Sequence, residues 1–368
     1  MKQMPSSPLR RIAAGLVRQS LLSLILLPFA AGSALALPAV SHVDREGLSA
    51  IRRDIRVGES KQATLPLVDG NPALVHLERF EVFAPDAKII QHTPAGDVFF
   101  PIPKTRFYRG GVVGDSASMV FLAVDTTVKG LIVSEGHIFD VEPDQDLAAA
   151  GIDGAQIREI NPDLDLPPDA KPFTCDLDHL VLDHPGRDAI KALSMPIEPL
   201  AASATTTYLA KLSIDIDDEL FAVFGSNTTT AANYAAQLVG AANVIYNRDL
   251  KTNLSIGTVH TYGAGSDPWT VPPCVDDGTP QHNCVLGTGT SSGLAQLGAY
   301  YHNNRPSESR SSAVLLSGKN FGGGVAWIGT VCTGDFACGP TGASCGGLTF
   351  ANSYAGGYAF RVVRRICG

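Results

Sequence analysis

The sequence has few charged residues and no surplus of positive ones. Asp, Glu, Lys and Arg make up 17% of its 368 residues, and the formal net charge at pH 7 is -8. A domain that binds nucleic acid needs a basic surface to neutralise phosphates, and this composition indicates none. With 45% hydrophobic residues, the balance is typical of a globular protein with a sizeable core.

Long apolar runs are also lacking, except near the N-terminus. Residues 21–29 are apolar, but Pro28 interrupts the run and it is short for a membrane span. Four positive residues precede it, and Ala34-Leu35-Ala36 follows as a small-x-small cleavage site. We expect residues 1–36 to be a secretory signal peptide, so that the cleaved chain is secreted, extracellular or periplasmic, without a membrane partner. An uncleaved anchor is the alternative.

Cysteine is absent from the first 174 residues, and six of the seven cysteines follow residue 270. An oxidising compartment would favour disulfides among those six. Cys274 and Cys284 bracket a nine-residue loop that contains Pro and Gly, so closing it costs little entropy. Cys338 and Cys345 are the next candidates for a pair, and Cys332 can compete with them.

The chain changes pattern twice. Residues 37–143 contain short β-rich runs separated by Gly, Asp and Pro, which predict a compact, mostly β domain. Residues 144–206 are rich in Pro, Asp and Ala and indicate a linker with short helices. From residue 207 strands and helices alternate in the order βαβαβββ, which predicts an α/β domain over 207–368 with a mixed sheet and flanking helices.

The spacing of apolar residues predicts the elements of this second region. A helix opened by cap residues 226–228 carries Tyr234, Leu238 and Ile245 on one face, and Leu297 belongs to the stripe of a later helix. The predicted strands are 208–216, 254–262, 313–316, 324–331 and a last one that ends at residue 360.

Four stretches of this region carry a family resemblance. They read LSIDIDDELFAVFG (212–225), AANVIYNRDLKTNLSIG (241–257), AVLLSGKNFGGGVAWIGTVC (313–332) and ANSYAGGYAF (351–360). In this order and spacing they resemble the N-terminal half of the catalytic domain of a reprolysin (adamalysin, ADAM-like) metzincin. The resemblance spans under half of the chain.

The resemblance implies a secreted zinc-dependent metalloendopeptidase, made as a precursor in which residues 37–143 are the propeptide. It also implies a protein or peptide substrate that pairs with an edge strand beside the active cleft, because edge strands present free N–H and C=O groups. An ordinary edge strand with a flexible glycine turn is the alternative. The implied substrate-binding residues are Gly324, Val325, Ala326, Trp327, Ile328 and Gly329.

Cys175 stands apart from the other cysteines, and an odd number leaves one thiol unpaired within a monomer. The resemblance implies a cysteine switch here, in which the thiolate of a precursor occupies the zinc. A free or intermolecular thiol is the simpler alternative. Cys175 could also join His179 and His184 in a metal site if a fourth ligand were supplied.

The metzincin zinc motif HExxHxxGxxH is missing from the 368 residues. No histidine follows His302, and no methionine follows Met195, so no Met-turn is present either. In that motif the histidines bind zinc and the Glu acts as general base. We therefore expect no catalytic residues and no bound zinc in this chain, although the complete family enzyme has both.

Other patterns favour other sites more weakly. Residues 289–293 fit G-x-S-x-G, but the only later histidine, His302, precedes Asp335, so the acid-then-histidine order of an α/β-hydrolase fails. A loop that caps a helix explains the pattern better. The acidic residues around 215–219 are candidates for calcium or for a solvated strand end: Asp215, Asp217, Asp218 and Glu219.

The eight residues after Phe360 include three arginines and have no counterpart in the family, whereas the preceding stretches keep its pattern. A natural short basic tail would have the same composition, but we favour a change of reading frame and predict an HExxHxxGxxH segment encoded shortly downstream in another frame. Sequencing the locus and translating all three forward frames tests this. If no such segment lies nearby, the alternative takes over, and the chain is a non-catalytic secreted pseudoprotease or peptide-binding protein.

Overall fold

A computed structural model of the chain describes residues 40–67, 70–160, 207–269, 293–318, 325–326 and 357–361. All of them belong to the unit Pro38–Gly368. The described strands form two sheets, and one long helix packs between them.

The first sheet is antiparallel throughout its described strands, with the order β1-β10-β9-β8-β7-β6-β3-β2. Burial alternates along β2, as in a sheet with one face on a core, whereas β7 is buried at every residue because both of its faces pack. The strands are β1 Val40–His42, β2 Ser60–Pro66, β3 Pro72–Phe80, β6 Arg106–Val112, β7 Met119–Val124, β8 Val128–Ser134, β9 His137–Pro143 and β10 Ala155–Ile160.

The second sheet is mixed and has the order β14-β15-β13-β11-β12-β4-β5. The five inner strands run parallel, and β14 and β5 are antiparallel at the two edges. The predicted α/β fold class with a mixed sheet is confirmed. The strands are β4 Phe83–Thr93, β5 Gly96–Phe100, β11 Tyr208–Ile216, β12 Thr252–Tyr262, β13 Ser312–Ser317, β14 Val325–Ala326 and β15 Gly357–Arg361.

The helices begin at capping residues. Asn227 accepts a hydrogen bond from the Thr230 N–H at the start of α4, and Lys251 ends that helix in the left-handed conformation with φ +51°. Within the described residues, none of the helices combines the length and apolar character that a membrane span requires. They are α1 Arg45–Arg52, α2 Gln145–Ala149, α3 Asp218–Val223, α4 Thr228–Leu250 and α5 Gly293–Asn304.

Helix α4 is covered on two sides, because its small residues let both sheets approach it. Ala232, Ala236 and Gly240 are buried, and Phe121 of β7 lies in the same core. The sequence placed Ile245 on the buried face, which is wrong: its side chain is 41% exposed. Small residues line much of the side that packs, although several larger side chains of the helix are buried there as well.

Two features of the N-terminal region differ from the sequence interpretation. Strand β10 lies inside the segment predicted to be a linker, and it pairs with β9, so the antiparallel sheet extends past residue 143. Strand β4 leaves the first sheet and pairs with β12 in parallel, with Ile90 opposite His260 and His92 opposite Tyr262. Such pairing between residues far apart in sequence leaves no local pattern.

We predict that Gly240→Ala destabilises the protein. A Cβ at this position would lie 2.6 Å from the Phe121 Cε2 and 3.3 Å from the Val82 Cγ2. Overpacking of this kind costs about 1–3 kcal/mol, against a gain in helix propensity of up to about 1 kcal/mol.

Urea unfolding of Gly240→Ala, Phe121→Leu and the double variant measures the effect. We expect the double variant to lose less stability than the sum of the single ones, because the smaller side chain makes room. Strict additivity would contradict the contact between α4 and the first sheet.

Candidate functional site

The structure describes only part of the predicted substrate-binding edge. Val325 and Ala326 form β14, which lies at the end of the mixed sheet and pairs with β15 alone among the described strands. The other residues predicted for substrate binding, Gly324, Trp327, Ile328 and Gly329, lie outside the described residues. So do Cys175, Cys274, Cys284, Cys338 and Cys345, so their predicted roles stay predictions.

Asp217 joins the end of β13 to the start of α3. Its carboxylate accepts from the Leu220 N–H at 2.8 Å, from the Gly318 N–H at 2.9 Å and from the Ser317 hydroxyl. Position 318 has to be glycine, because a Cβ there would lie 2.5 Å from the Leu220 nitrogen. Asp217 therefore fixes the direction in which the chain leaves the sheet after β13.

Asn243 has a comparable role at the other end of the sheet. Its buried side chain donates to the Leu254 carbonyl at 2.7 Å and so ties helix α4 to the start of β12. Asn243 and the Ser317-Gly318 turn are among the residues that carry the family resemblance. In this structure both position strands.

A buried polar network lies where the parallel strands β4, β12 and β11 end. In open α/β sheets this carboxyl edge is the usual place for functional side chains. Each of these strands contributes near its last residue, and the segment after α5 closes the group. The members are His92 from β4, His260 and Tyr262 from β12, Ser213 and Asp215 from β11, Tyr301 from α5, and Arg305, Glu308 and Arg310 after α5.

Asp215 is the centre of this network and has no exposed surface. Its carboxylate accepts from the Arg305 Nη1 at 2.8 Å, the Tyr262 hydroxyl at 2.7 Å and the Tyr301 hydroxyl at 2.5 Å. Burial alone would raise the pKa of Asp215, but Arg305, His260 and the tyrosine hydroxyls outweigh it, so the pKa is lowered. Asp215 is therefore a carboxylate, and Arg305 is held as its counter-ion.

Glu308 and His260 form a hydrogen-bonded pair beside the ion pair of Asp215 and Arg305. The His260 Nε2 lies 3.1 Å from the Glu308 Oε2, and the Ser213 hydroxyl donates to the other oxygen of Glu308. Burial acts to raise the pKa of Glu308, but the hydrogen bond and charge of His260 lower it to about 2. Arg310 stabilises the segment after α5, because its guanidinium donates to the carbonyls of Arg305 and Glu308, each at 2.9 Å.

His92 connects strand β4 to the Asp215–Arg305 pair and to the Glu308–His260 pair. Its Nδ1 lies 2.7 Å from the Asp97 Oδ1, and its Nε2 lies 3.0 Å from both the Arg305 Nη2 and the His260 Nδ1. Its ring stacks on that of Tyr262 with centroids 4.8 Å apart.

Most of this network was not predicted from the sequence. The polar alternation of Asp215-Ile-Asp217 and His260-Thr-Tyr262 at two strand ends was the available signal. Of the nine members only Asp215 was a predicted site residue, and the other eight had no predicted role in a site: His92, Ser213, His260, Tyr262, Tyr301, Arg305, Glu308 and Arg310.

The acidic residues proposed for calcium separate into two environments. Asp215 belongs to the network, whereas Asp217, Glu219 and Asp267 have carboxylate oxygens within 4.8 Å of one another. Asp217 is committed to the Ser317-Gly318 turn and to the cap of α3, and Asp267 accepts from the Trp269 N–H at 3.2 Å. Two of the three carboxylates thus have roles in folding.

A cleft of about 450 Å³ lies between β3, β6 and the end of α4. Its walls carry Glu78 and Arg109, but the Arg109 guanidinium donates to Glu78 and to Asn253, each at 3.0 Å. The guanidinium of Arg109 therefore already has partners within the protein. The cleft does not indicate a particular class of ligand.

No family model matches the chain, and no curated protein matches it. Among solved structures the chain is similar to metalloproteinase-II from Bacteroides fragilis, with 9% identity, a TM-score of 0.36, and coverage of 84% of this chain and 77% of that one. This likeness is too distant to support a statement about mechanism.

We predict that Asp215→Asn strongly destabilises the fold, because it leaves the Arg305 guanidinium buried without its counter-ion. Loss of one partner of a buried ion pair costs about 3–5 kcal/mol. Asp86→Asn is the matched control, since Asp86 pairs with Lys211 at 2.7 Å but its side chain is 71% exposed. Chemical unfolding should show a large loss for the first variant and almost none for the second. Equal effects would contradict the assigned burial.

Proposed function

We propose that this chain binds extended peptides along β14, as the substrate-binding part of a secreted zinc-dependent metallopeptidase made as a precursor. The observation that supports this most directly is the position of β14. It is an antiparallel strand at the end of an otherwise parallel run of strands, and its pairing partner among the described strands is β15 on one side.

An edge strand offers main-chain donors and acceptors at fixed spacing, so a peptide in extended conformation can add to the sheet. Main-chain hydrogen bonds supply affinity in this mode, and alternate side chains supply specificity. The family resemblance assigns the same role to residues 324–329. The fold-based and the residue-based reasons for the proposal are therefore independent.

Two strands further into the sheet than β15 are fixed by buried polar contacts, and a preformed sheet lowers the entropic cost of binding. Asp217 fixes the end of β13, and the buried ion pair of Asp215 and Arg305 fixes the adjoining strand β11 to the segment after α5. A site on regular strands with such support keeps its geometry better than one on loops.

The described residues do not fit a zinc site. His92 and His260 are neighbours, but their ring nitrogens are used on Asp97, Arg305 and Glu308. The HExxHxxGxxH motif is also missing from the sequence, so the described residues supply none of the zinc ligands of that motif.

A non-catalytic secreted pseudoprotease or peptide-binding protein is the second candidate, and the absence of the zinc motif from the 368 residues favours it. The two candidates share the peptide-binding edge. They differ in whether a protein with the reading frame restored cleaves peptides in a chelator-sensitive manner.

We predict that the chain binds extended peptides and that binding depends on alternate backbone N–H groups. A fluorescent peptide selected from a library is scanned by N-methylation at each residue, and affinity is followed by anisotropy. Because alternate residues of a strand direct their N–H groups toward the neighbour, methylation at every second position should abolish binding. Equal effects at all positions, or no binding peptide at all, would contradict pairing with an edge strand.

Val325→Pro and Ala326→Pro provide a matched pair on the protein side. Proline removes one backbone N–H. The N–H groups of adjacent residues point to opposite sides of β14, one toward β15 and the other toward the side on which no described strand pairs. One variant should lose peptide binding while it keeps the unfolding midpoint of the wild type. If neither folded variant loses affinity, the site lies elsewhere.

A further inference from the structure

The hairpin of β4 and β5 is attached to the rest of the mixed sheet through β12. Backbone pairing runs from Ile256 to Tyr262 of β12, and the Ile256 N–H also donates to the Val82 carbonyl at 2.7 Å. Two side-chain contacts add to it: Lys211 pairs with Asp86, and Thr228 donates to Gln91 at 3.0 Å. Ile89 of β4 is also buried in the core that contains Ile256 and Val259, and His92 adds polar contacts at the last residue pair of the two strands.

The position of His92 allows only one arrangement of protons. An arginine guanidinium donates and never accepts, so the His92 Nε2 that lies 3.0 Å from the Arg305 Nη2 has to accept. The same nitrogen faces the His260 Nδ1 at 3.0 Å. His92 is therefore neutral, with its proton on Nδ1 and donated to the Asp97 carboxylate.

A second proton on His92 would place two donors against each other. The new Nε2–H would point at the Arg305 guanidinium, which is already charged and largely buried. The neighbouring elements offer one carboxylate in direct contact, Asp97 of β5, since Asp215 is engaged by Arg305 and Glu308 by His260. The charged and titratable groups that face His92 are Asp97 from β5, His260 and Tyr262 from β12, and Arg305 after α5, with Asp215 and Glu308 behind them.

We propose that His92 is an acid-sensitive latch: its protonation releases the β4–β5 hairpin from β12 and leaves the β12 edge open. This inference rests on the fold and the network and does not depend on the proposed peptide binding. Release would make β12, in place of β5, the edge strand at the opposite end of the described sheet from β14. The accessibility of that edge would then depend on pH.

The pH range follows from the direction of the shift. Burial lowers the pKa of His92, and His260 and Arg305 lower it further, while Asp97 acts in the opposite direction. Because the pKa of the attached state lies below the ordinary value of about 6.5, the attachment is fully stable above that pH and weakens as pH falls below it. Glu308, with a pKa of about 2, loses its contribution only below its ordinary value of 4.5.

Hydrogen exchange of the full chain, measured by mass spectrometry between pH 7.5 and 5.0 and corrected for intrinsic exchange, tests the latch. We expect protection of residues 83–100 and 256–262 to fall about tenfold for each unit by which the pKa is depressed. Strands β7 and β8 of the first sheet should keep their protection. Unchanged protection of 83–100, or an equal loss in all strands, would overturn the proposal.

His92→Gln removes the titration but keeps an oxygen that can accept from Arg305, so the pH response should disappear. His76→Gln is the matched control, because His76 is an exposed histidine of β3 outside the network, and it should respond like the wild type. A wild-type response in His92→Gln would refute the latch.

Asp97→Asn gives a second test if His92→Gln does not fold, since the Asp97 side chain is 52% exposed. It removes the carboxylate that favours the protonated ring. The loss of protection at pH 5.0 should therefore be larger than in the wild type, and a smaller loss would count against the latch.

Discussion

The ion pair of Asp215 and Arg305 organises the carboxyl edge of the mixed sheet. A carboxylate without solvent contact is tolerable only with a counter-ion and full hydrogen bonding. Arg305 and two tyrosine hydroxyls meet that demand. The same contacts hold Arg305 where its Nη2 lies 3.0 Å from the His92 Nε2. The buried carboxylate of Asp215 on β11 thus determines how β4, which is far away in sequence, contacts the rest of the sheet.

The second constraint is the small size of the buried side chains of helix α4. Its alanines and Gly240 allow Phe121 of the first sheet and the strands of the second sheet to share one core. The segment that the family resemblance implies to be a propeptide therefore contributes both a strand pair and part of this core. Removal of residues 37–143 would expose the small-residue face of α4 and the edge of β12. Exposed apolar surface and free strand edges are sites of association, so another contact would have to replace them.

Much of the second region could be predicted from sequence, because its elements have strong local patterns. The alternation in 208–216 and the cap at Asn227 gave boundaries that agree with β11 and with the start of α4. The buried side of α4 was predicted less well, since Ile245 outranks alanine on any hydrophobic scale but lies outside the contact. Strand β10 was missed because its surroundings are rich in Pro, Asp and Ala. Of the buried network only Asp215 was a candidate from the sequence, because the parallel pairing of β4 with β12 is what makes His92 and Tyr262 neighbours.

The tautomer of His92 tests this account most directly, because hydrogen positions are inferred from heavy-atom geometry. Imidazole ¹⁵N shifts of the selectively labelled full chain at pH 7.5 would report it. The account predicts a neutral ring protonated at Nδ1, with Nε2 as the acceptor, and a change to the Nε2-protonated form or to exchange broadening in Asp215→Asn if that variant folds. A ring protonated at Nε2, or an imidazolium at pH 7.5, would contradict the hydrogen bond from Arg305 and the organisation built on it.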